Sequence, residues 1–338
     1  MFNPKRVLIE KEALTYPLGQ ELYEYFTNKK YNVILLESNR TKGIPGDTKE
    51  EKYKQGKSTL VIGVKKSLKF QTCKPSAHYQ LPLVTGCIGQ CEYCYLNTQL
   101  GDKPYTRVYV NIEEILEQAK RYIEQREDEV TIFEGAATSD PLPVESYTHA
   151  LKKTIEFFGK EKNGRFRFVT KFNNVEDILD VNHNGHTTVR FSINTDRIIK
   201  SYEHKTPSFN KRIEAAYKVL NAGYPIGFII APVFFYDQWK NEYSMLIKET
   251  KNLFPVDKHE KITFEVISHR YTTKAKNRIN EVFPKTTLPM NDIERTFKYG
   301  QFGYGKYVYN KDEMKEMKTF FKEQLESNFK NSEIKYII

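Results

Sequence analysis

The stretch Cys87-Ile88-Gly89-Gln90-Cys91-Glu92-Tyr93-Cys94-Tyr95 carries three cysteines in the spacing Cys-x3-Cys-x2-Cys. Thiolates are the usual ligands of iron–sulfur clusters, and a four-iron cluster needs one ligand for each iron. Three cysteines on one loop can hold three irons and leave the fourth open to a substrate or cofactor. Structural zinc is the alternative, but closed zinc sites take four protein ligands, and the only other cysteine is Cys73. The spacing favours an iron–sulfur site.

The composition predicts a soluble cytoplasmic protein. The chain has 338 residues, of which 39% are hydrophobic and 14% aromatic, enough for one large α/β domain or a core with smaller additions. The N-terminus has no apolar stretch followed by a small-residue cleavage site, and no apolar run is long enough to span a membrane. Four cysteines, three of them clustered, fit a reducing compartment better than a disulfide framework.

The charge distribution points to a polyanionic partner. The formal net charge is +10, and residues 261–309 contain nine Lys/Arg against four Asp/Glu, which is half of the excess. The alternative is a lysine-rich composition with a solvated charged face.

The first eighty residues predict a small α/β portion, with strands at 6–9, 33–36 and 59–64 and a helix over 18–27. From residue 81 strands and helices alternate. The predicted strands are 81–84, 130–133, 166–170, 189–193, 226–231 and 262–267, and the predicted helices are 112–125, 145–158, 210–222 and 239–254. Such repeats form parallel sheets with right-handed crossovers, and six of them make a partial barrel. Ligands bind at the C-terminal ends of its strands, and the cysteine loop follows the first strand.

Polar residues follow several of these strands, which places them at the same predicted edge. They are Glu134, Thr138, Ser139, Asp140, Lys171, Ser192, Asn194, Ser268, His269 and Arg270, together with the pair Ala231-Pro232. Each taken alone is more typical of a helix cap or a loop. Their shared position favours a functional edge, where Lys171 and Ser192 could hold a carboxylate and a ribose or amine.

The last part of the chain has a different pattern. We expect a short helix over 291–298, a β-hairpin over 299–309, a helix over 311–329 and a strand over 334–338. Glycines flanked by lysine and tyrosine in the hairpin suit an approach to nucleic acid with stacking on bases. An edge hairpin packed on the core is the alternative.

The motifs of this chain resemble those of the radical SAM superfamily and, within it, the spore photoproduct lyase family. The resemblance covers nearly the whole length. The matching segments are YPLG (16–19), KGIPG (42–46), STLVIGV (58–64), KPSAHY (74–79), CEYCYL (91–96), KPYTRVYVN (103–111), FVTK (168–171), FSIN (191–194), AGY (222–224) and GKYVY (305–309). It implies an α/β fold with a partial (β/α)6 TIM-like barrel over 81–270. An N-terminal α/β portion (1–80) and a C-terminal extension (271–338) with a hairpin and a helix flank the barrel.

The resemblance also implies a site. Cys87, Cys91 and Cys94 would bind a 4Fe-4S cluster, and its open iron would take S-adenosylmethionine. The cofactor would then be cleaved to methionine and a 5′-deoxyadenosyl radical. The residues around the cofactor would be Tyr93 at the adenine, then Ser139, Lys171, Ser192 and Ala231.

The implied substrate is DNA containing spore photoproduct, a thymine dimer that must be extruded from the duplex to be reached. The implied partners include an electron donor such as a flavodoxin or ferredoxin, and the implied place of action is the spore core.

Two departures from the family pattern bear on function. The family motif Phe-Glu-Ala-Ala-Cys-Thr-Ser-Asp carries a hydrogen-donating cysteine, but this chain has Ala137 at that position. The relay tyrosine is present as Tyr95, Tyr93 is also present, and Cys73 matches no family donor. In the hairpin the family's Arg-Tyr pair is replaced by Gln301-Phe302, while Lys306 and Tyr307 remain as DNA-binding candidates.

These departures leave several hypotheses. The protein is a lyase with another donor such as a tyrosine, an engineered donor-to-alanine variant, or a relative acting on another substrate. A non-enzymatic iron–sulfur DNA-binding protein is the alternative from a different class. It would not explain why Ser139, Lys171 and Ser192 are retained.

Overall fold

The computed structural model describes residues 2–37, 41, 43–74, 76–126, 128–254, 262–299 and 305–338. The strands are β1 Arg6–Glu10, β2 Val33–Leu36, β3 Thr59–Gly63, β4 Thr72–Cys73, β5 Ala77–Gln80, β6 Val84–Thr85, β7 Gln90–Cys91, β8 Thr106–Tyr109, β9 Thr131–Glu134, β10 Gly164–Thr170, β11 Thr187–Ile193, β12 Glu203–His204, β13 Ile226–Val233, β14 Ile262–Ser268, β15 Thr296–Tyr299, β16 Gly305–Val308 and β17 Glu333–Ile337. The helices are α1 Pro17–Asn28, α2 Lys49–Lys57, α3 Leu96–Gln99, α4 Ile112–Glu124, α5 Glu145–Thr148, α6 Ala150–Lys160, α7 Asp196–Tyr202, α8 Phe209–Asn221, α9 Trp239–Asn252, α10 Thr273–Val282 and α11 Lys311–Asn328. No helix in the described ranges is long and apolar enough to cross a membrane.

The chain divides into two compact units. The first contains residues 1–89 and 99–188, and the second contains residues 90–98 and 189–338.

The first unit contains a five-stranded sheet in the order β2-β1-β3-β8-β6. The strands predicted at 6–9, 33–36 and 59–64 are present as β1, β2 and β3, which pair in parallel. Two strands from beyond residue 80 complete the sheet: β8 is parallel to β3, and β6 is antiparallel to β8. All five residues of β3 are buried, which explains its continuous apolar run, because a strand covered on both faces needs no polar side.

The first unit also contains the strand row β10-β9-β5-β4. Strand β5 is parallel to β9, β9 is parallel to β10, and β4 is an antiparallel edge strand on β5. The strand predicted at 81–84 is therefore wrong: β5 precedes it, and Val84 pairs with β8 in the other sheet. Pro82 has no N–H to donate to a ladder, and the buried Leu81 and Leu83 gave the segment its strand-like appearance.

The second unit contains four parallel strands in the order β17-β14-β13-β11. The predicted strands 189–193, 226–231 and 262–267 correspond to β11, β13 and β14. In this register Phe191 lies beside Phe228, which lies beside Phe264. All three rings are at most 1% exposed, so one aromatic row crosses the sheet and fixes its register.

Two helix predictions differ from the structure. The helix predicted over 145–158 is broken at His149, whose φ of 49° ends α5 before α6 begins. The helix predicted over 291–298 is wrong, because 296–299 form β15, which pairs antiparallel with β16. Thr296, Phe297 and Tyr299 are β-branched or aromatic, and such residues favour a strand.

Candidate active site

The cysteine loop begins in the first unit with a tightly held Cys87. The backbone N–H of Gly89 donates to Sγ of Cys87 at 3.3 Å, and the ammonium of the buried Lys57 donates to the Cys87 carbonyl at 2.8 Å. Gly86, just before it, has a φ of 86°, and a Cβ there would lie 2.3 Å from the Tyr105 carbonyl oxygen. Only glycine fits that approach, so the turn into the loop depends on it.

The remaining two cysteines lie in the second unit. Cys91 is on β7, which pairs antiparallel with β12, and the N–H of Cys94 donates to the Cys91 carbonyl at 3.2 Å. The buried amide of Asn97 donates to the carbonyls of Cys91 and Glu92, each at 3.1 Å. These bonds fix the backbone between the two cysteines.

Tyr93 lies at one end of a buried ionic pair. Its hydroxyl donates to Glu203, whose other carboxylate oxygen lies 2.5 Å from the guanidinium of Arg212. Loss of water around the ring, and then the negative charge of Glu203, raise the pKa of the Tyr93 phenol well above its ordinary value. Tyr93 is therefore a neutral, fixed phenol. Tyr95 differs from it, since its side chain is 55% exposed.

The three cysteines are of the residue type that an iron–sulfur cluster takes, one thiolate per iron. Cys91 is buried, Cys87 and Cys94 are half-buried, and the N–H of Gly89 on Cys87 is the kind of hydrogen bond to sulfur that tunes iron–sulfur centres. Within the described ranges no three His, Cys, Asp or Glu side chains are grouped to hold a single metal ion.

In the first unit, Asp140 connects two of the predicted site residues. Its carboxylate accepts hydrogen bonds from the Thr170 hydroxyl and the Lys171 N–H, each at 3.0 Å, and from the Leu142 N–H. Burial raises the pKa of Asp140 to about 6 despite these bonds. The neighbouring Ser139 is buried and donates to the Gly135 carbonyl at 3.3 Å. Asp140 thereby holds the backbone of Lys171 beside the segment that carries Ser139.

In the second unit, the ends of β11 and β13 carry the other predicted cofactor residues. Ser192 is buried and its carbonyl accepts a hydrogen bond from Arg212 at 2.9 Å. Ala231 is half-buried near the end of β13. The amide of Asn194 donates to the Pro232 carbonyl at 2.9 Å, so the two strand ends are joined beside these residues.

Ala137 lines a cavity of about 320 Å³ in the first unit. The loop that carries Ala137 follows β9, and the segments after β3 and β5 also line the cavity. Cys73 lies on β4, the edge strand beside β5, opposite Ala77. Gln71, two residues before Cys73, lines the cavity together with Ala137.

The described strands of the C-terminal hairpin have two different faces. Tyr307 stacks on Tyr271 with a ring separation of 5.2 Å, and the two residues exchange backbone hydrogen bonds. Lys306 is exposed and lies opposite Lys298. Tyr307 thus anchors the hairpin and Lys306 faces outward, while Gln301 and Phe302 lie outside the described residues.

Comparison with known proteins gives a consistent result. The sequence profile of the family "Spore photoproduct lyase" matches residues 2–338. The chain is 54% identical to the spore photoproduct lyase of Clostridium acetobutylicum, over 99% of this chain and 98% of that protein. It is 47% identical to that of Bacillus subtilis over the same shares. This chain belongs to the spore photoproduct lyase family.

Solved structures of the spore photoproduct lyase family confirm the α/β partial barrel predicted from the sequence. One spore photoproduct lyase complexed with dinucleoside spore photoproduct matches with a TM-score of 0.97 and 46% identity, over 100% of this chain and 99% of that one. A second structure, with the same scores and coverage, is a double variant with bound AdoMet and the same dinucleoside. In that variant a cysteine is changed to alanine, and a serine 64 positions earlier is changed to cysteine.

Sequence reasoning about this family member missed the residues that hold others in place. Arg212 and Glu203 touch predicted site residues but belong to no motif with a fixed spacing, whereas Asp140 is among the residues predicted at the strand ends. The one usable signal is the position of Arg212 on the apolar face of the predicted helix 210–222, because an arginine buried there needs a partner.

Proposed function

We propose that this protein repairs spore photoproduct in DNA by radical chemistry that starts from S-adenosylmethionine. The observation that carries the proposal is the end-to-end likeness to spore photoproduct lyases, whose solved structures hold AdoMet and the lesion itself. The retained cysteine loop supports the same conclusion, because it supplies the thiolates that this chemistry requires.

The proposed cofactors are a 4Fe-4S cluster on Cys87, Cys91 and Cys94, and S-adenosylmethionine. When bound, they supply the radical that removes a hydrogen atom from the lesion. The chain's contribution is binding and orientation, by Tyr93 at the adenine and by a further set around the rest of the cofactor. That set is Ser139, Lys171, Ser192 and Ala231. A flavodoxin or ferredoxin would deliver the electron, and the spore core would be the place of action.

We assign the hydrogen-atom donor to Cys73. Ala137 has no S–H bond to give, and the family's motif alone leaves Cys73 without a role. The double variant described above moves a cysteine from one position to another 64 residues earlier, and Cys73 precedes Ala137 by the same 64 residues. The equal separation supports the assignment of Cys73 as the donor. Strand β4 holds Cys73 beside β5, whose partner β9 leads into the Ala137 loop.

The donor step balances with these residues alone. After the thymine bridge opens, the S–H bond of Cys73 breaks and a C–H bond forms on the thymine methyl group, leaving the unpaired electron on sulfur. The resemblance assigns Tyr95 the return step: its O–H bond breaks as the S–H bond re-forms, and the unpaired electron passes to the phenol oxygen. That oxygen would regain a hydrogen atom from the 5′-deoxyadenosine formed when the radical abstracted hydrogen from the lesion. The DNA contacts of Gln301, Phe302, Lys306 and Tyr307 stay predictions within this proposal.

Four proteins test the proposal: the natural chain, Cys73→Ala, Ala137→Cys, and the double variant Cys73→Ala/Ala137→Cys. Each is reconstituted with iron and sulfide without oxygen, reduced, and given DNA containing spore photoproduct. We expect thymine from the natural chain, a loss of more than tenfold with Cys73→Ala, and recovery in the double variant.

Cleavage of S-adenosylmethionine is measured in parallel as the control. Cys73→Ala should still cleave it, because the cysteine acts only after the radical has formed. If Cys73→Ala repairs as well as the natural chain, the donor assignment is wrong and a tyrosine becomes the candidate. If the natural chain cleaves no S-adenosylmethionine, the non-enzymatic DNA-binding protein is the better description.

A further inference from the structure

The cavity beside Ala137 is mainly polar and carries two lysines. Its volume of about 320 Å³ falls in the range of small-molecule sites. Its lining includes Lys65 and Lys69 as well as Ala137. The only acid among the residues lining it, Glu134, is paired with Arg167 at 3.1 Å. The uncompensated charge of the cavity is therefore positive.

The two lysines lie on a segment that is fixed at both ends. The N–H of Lys65 donates to Asn111 at 2.8 Å, and the Asn111 amide donates back to the Lys65 carbonyl at 3.1 Å. At the other end the N–H of Phe70 donates to the Tyr122 hydroxyl at 3.2 Å, and the two rings stack. A rim held this way needs little ordering when a ligand binds.

Neither ammonium has an anionic partner in the described part of the chain. The ammonium of Lys65 lies over the Tyr109 ring, 5.4 Å from its centre. Burial, and then the positive charge of the nearby Arg107, lower the pKa of Lys65. A bound anion would therefore stabilise the charged form of this ammonium. The intervening Lys66 differs, because it pairs with Glu12 at 2.7 Å and does not line the cavity.

We propose that Lys65 and Lys69 bind the phosphodiester that joins the two thymidines of the lesion. The inference rests on the proposed function, since it assumes that the lesion occupies the space beside Ala137. Lysine is a common phosphate ligand because its compact charge forms charge-assisted hydrogen bonds to phosphate oxygens. A dinucleoside lesion, as named for the solved relatives, has no phosphodiester, so it leaves this contact unmade.

That chemical difference provides the experiment. Repair of the dinucleotide spore photoproduct, which has the phosphodiester, is compared with repair of the dinucleoside, which lacks it. The variants are Lys65→Met, Lys69→Met, the double variant, and Lys66→Met as the matched control. For the double variant we expect KM for the dinucleotide to rise about tenfold or more, as for loss of hydrogen bonds to a charged group. KM for the dinucleoside should change less than about twofold.

Lys65→Arg and Lys69→Arg keep the positive charge. In these variants KM for the dinucleotide should stay close to that of the natural chain. Lys66→Met should leave both substrates unaffected. Equal losses on the two substrates, or no loss on either, overturn the phosphodiester contact while leaving the proposed lyase activity intact. The proposed function itself fails only if the natural chain repairs neither substrate, so the two failures are distinguishable.

Discussion

Gly135 lies directly against the ring of Phe166, so that a Cβ at position 135 would come within 2.6 Å of two ring carbons. Both residues are buried, and the ring belongs to an aromatic stack in which Phe166 lies between Phe158 and Phe168. The family's motif has alanine at this position. In this chain the loop that leads to Ala137 therefore approaches β10 more closely than an alanine would permit.

The first prediction concerns this contact. Gly135→Ala should lower the free energy of unfolding by about 1–3 kcal/mol, the usual result of inserting a methyl group into a packed core. Phe166→Leu alone should be destabilising, but added to Gly135→Ala it should cost less, because the smaller side chain makes room for the methyl group. Urea denaturation of the four proteins measures the coupling. If the two losses in free energy of unfolding simply add, the contact between Gly135 and Phe166 does not restrict the position of the loop.

The second prediction concerns the buried pair behind Tyr93. Arg212 and Glu203 are both fully buried, and the guanidinium also donates to the carbonyls of Ser192 and Pro207. Arg212→Met leaves the Glu203 charge buried without its partner and should cost about 3–5 kcal/mol. The matched control is Arg197→Met at the partly exposed Arg197–Glu242 pair, which should cost less than about 1 kcal/mol.

The KM for S-adenosylmethionine shows whether Arg212→Met disturbs the cofactor site or only destabilises the fold. Because the pair holds the Tyr93 hydroxyl and the Ser192 carbonyl, KM for S-adenosylmethionine should rise at temperatures where the variant is still folded. A stability loss with an unchanged KM would mean that the pair supports the fold and not the cofactor site.

The sequence predicted those parts of the fold that depend on local pattern. The cysteine spacing, the apolar runs of β11, β13 and β14, and the spacing in α4 needed no partner to be recognised. Strand β5 was missed because Ala77-His78-Tyr79-Gln80 is not apolar, and its place is set by pairing with β9. Such long-range pairing is not encoded in a short window.

The same reasoning explains which site residues were found. Cys87, Cys91 and Cys94 have a spacing that carries meaning by itself, whereas Arg212 and Glu203 meet only through the paired strands β7 and β12 and the folded α8. Cys73 had no signal at all in the family's motif. Its position gained meaning only from the matching separation in the double variant.

The third prediction concerns pH. His269 is buried against Phe234 and close to Arg295, and burial followed by that positive charge lowers its pKa from 6.5 to about 3. Because the folded-state pKa is lower than the unfolded value, the unfolded state binds the proton more readily. The contribution to stability is complete above pH 6.5 and is lost as the pH falls toward 3.

Between pH 6.5 and pH 5 the loss from His269 should be about 2 kcal/mol. His269→Phe keeps a ring packed against Phe234 and removes the titrating group. The free energy of unfolding should therefore change less between pH 6.5 and pH 5. The control is His149→Asn at an exposed histidine with positive φ, a conformation that asparagine tolerates. Denaturation midpoints at several pH values measure both, and an equally steep profile in His269→Phe would assign the acid sensitivity to other groups.

The last prediction separates the four cysteines by role. Cys87→Ala, Cys91→Ala and Cys94→Ala should each lower the iron and sulfide content of the reconstituted protein and abolish cleavage of S-adenosylmethionine, because each removes the only ligand of one iron. Cys73→Ala should keep full iron content and cofactor cleavage, since Cys73 lies on β4, outside the loop. Cys91 is buried on β7, so circular dichroism checks that each variant, Cys91→Ala above all, is folded. Loss of iron in Cys73→Ala would make this cysteine a ligand and remove it as the hydrogen donor. Full iron content in any of the three loop variants would remove that cysteine from the proposed ligand set.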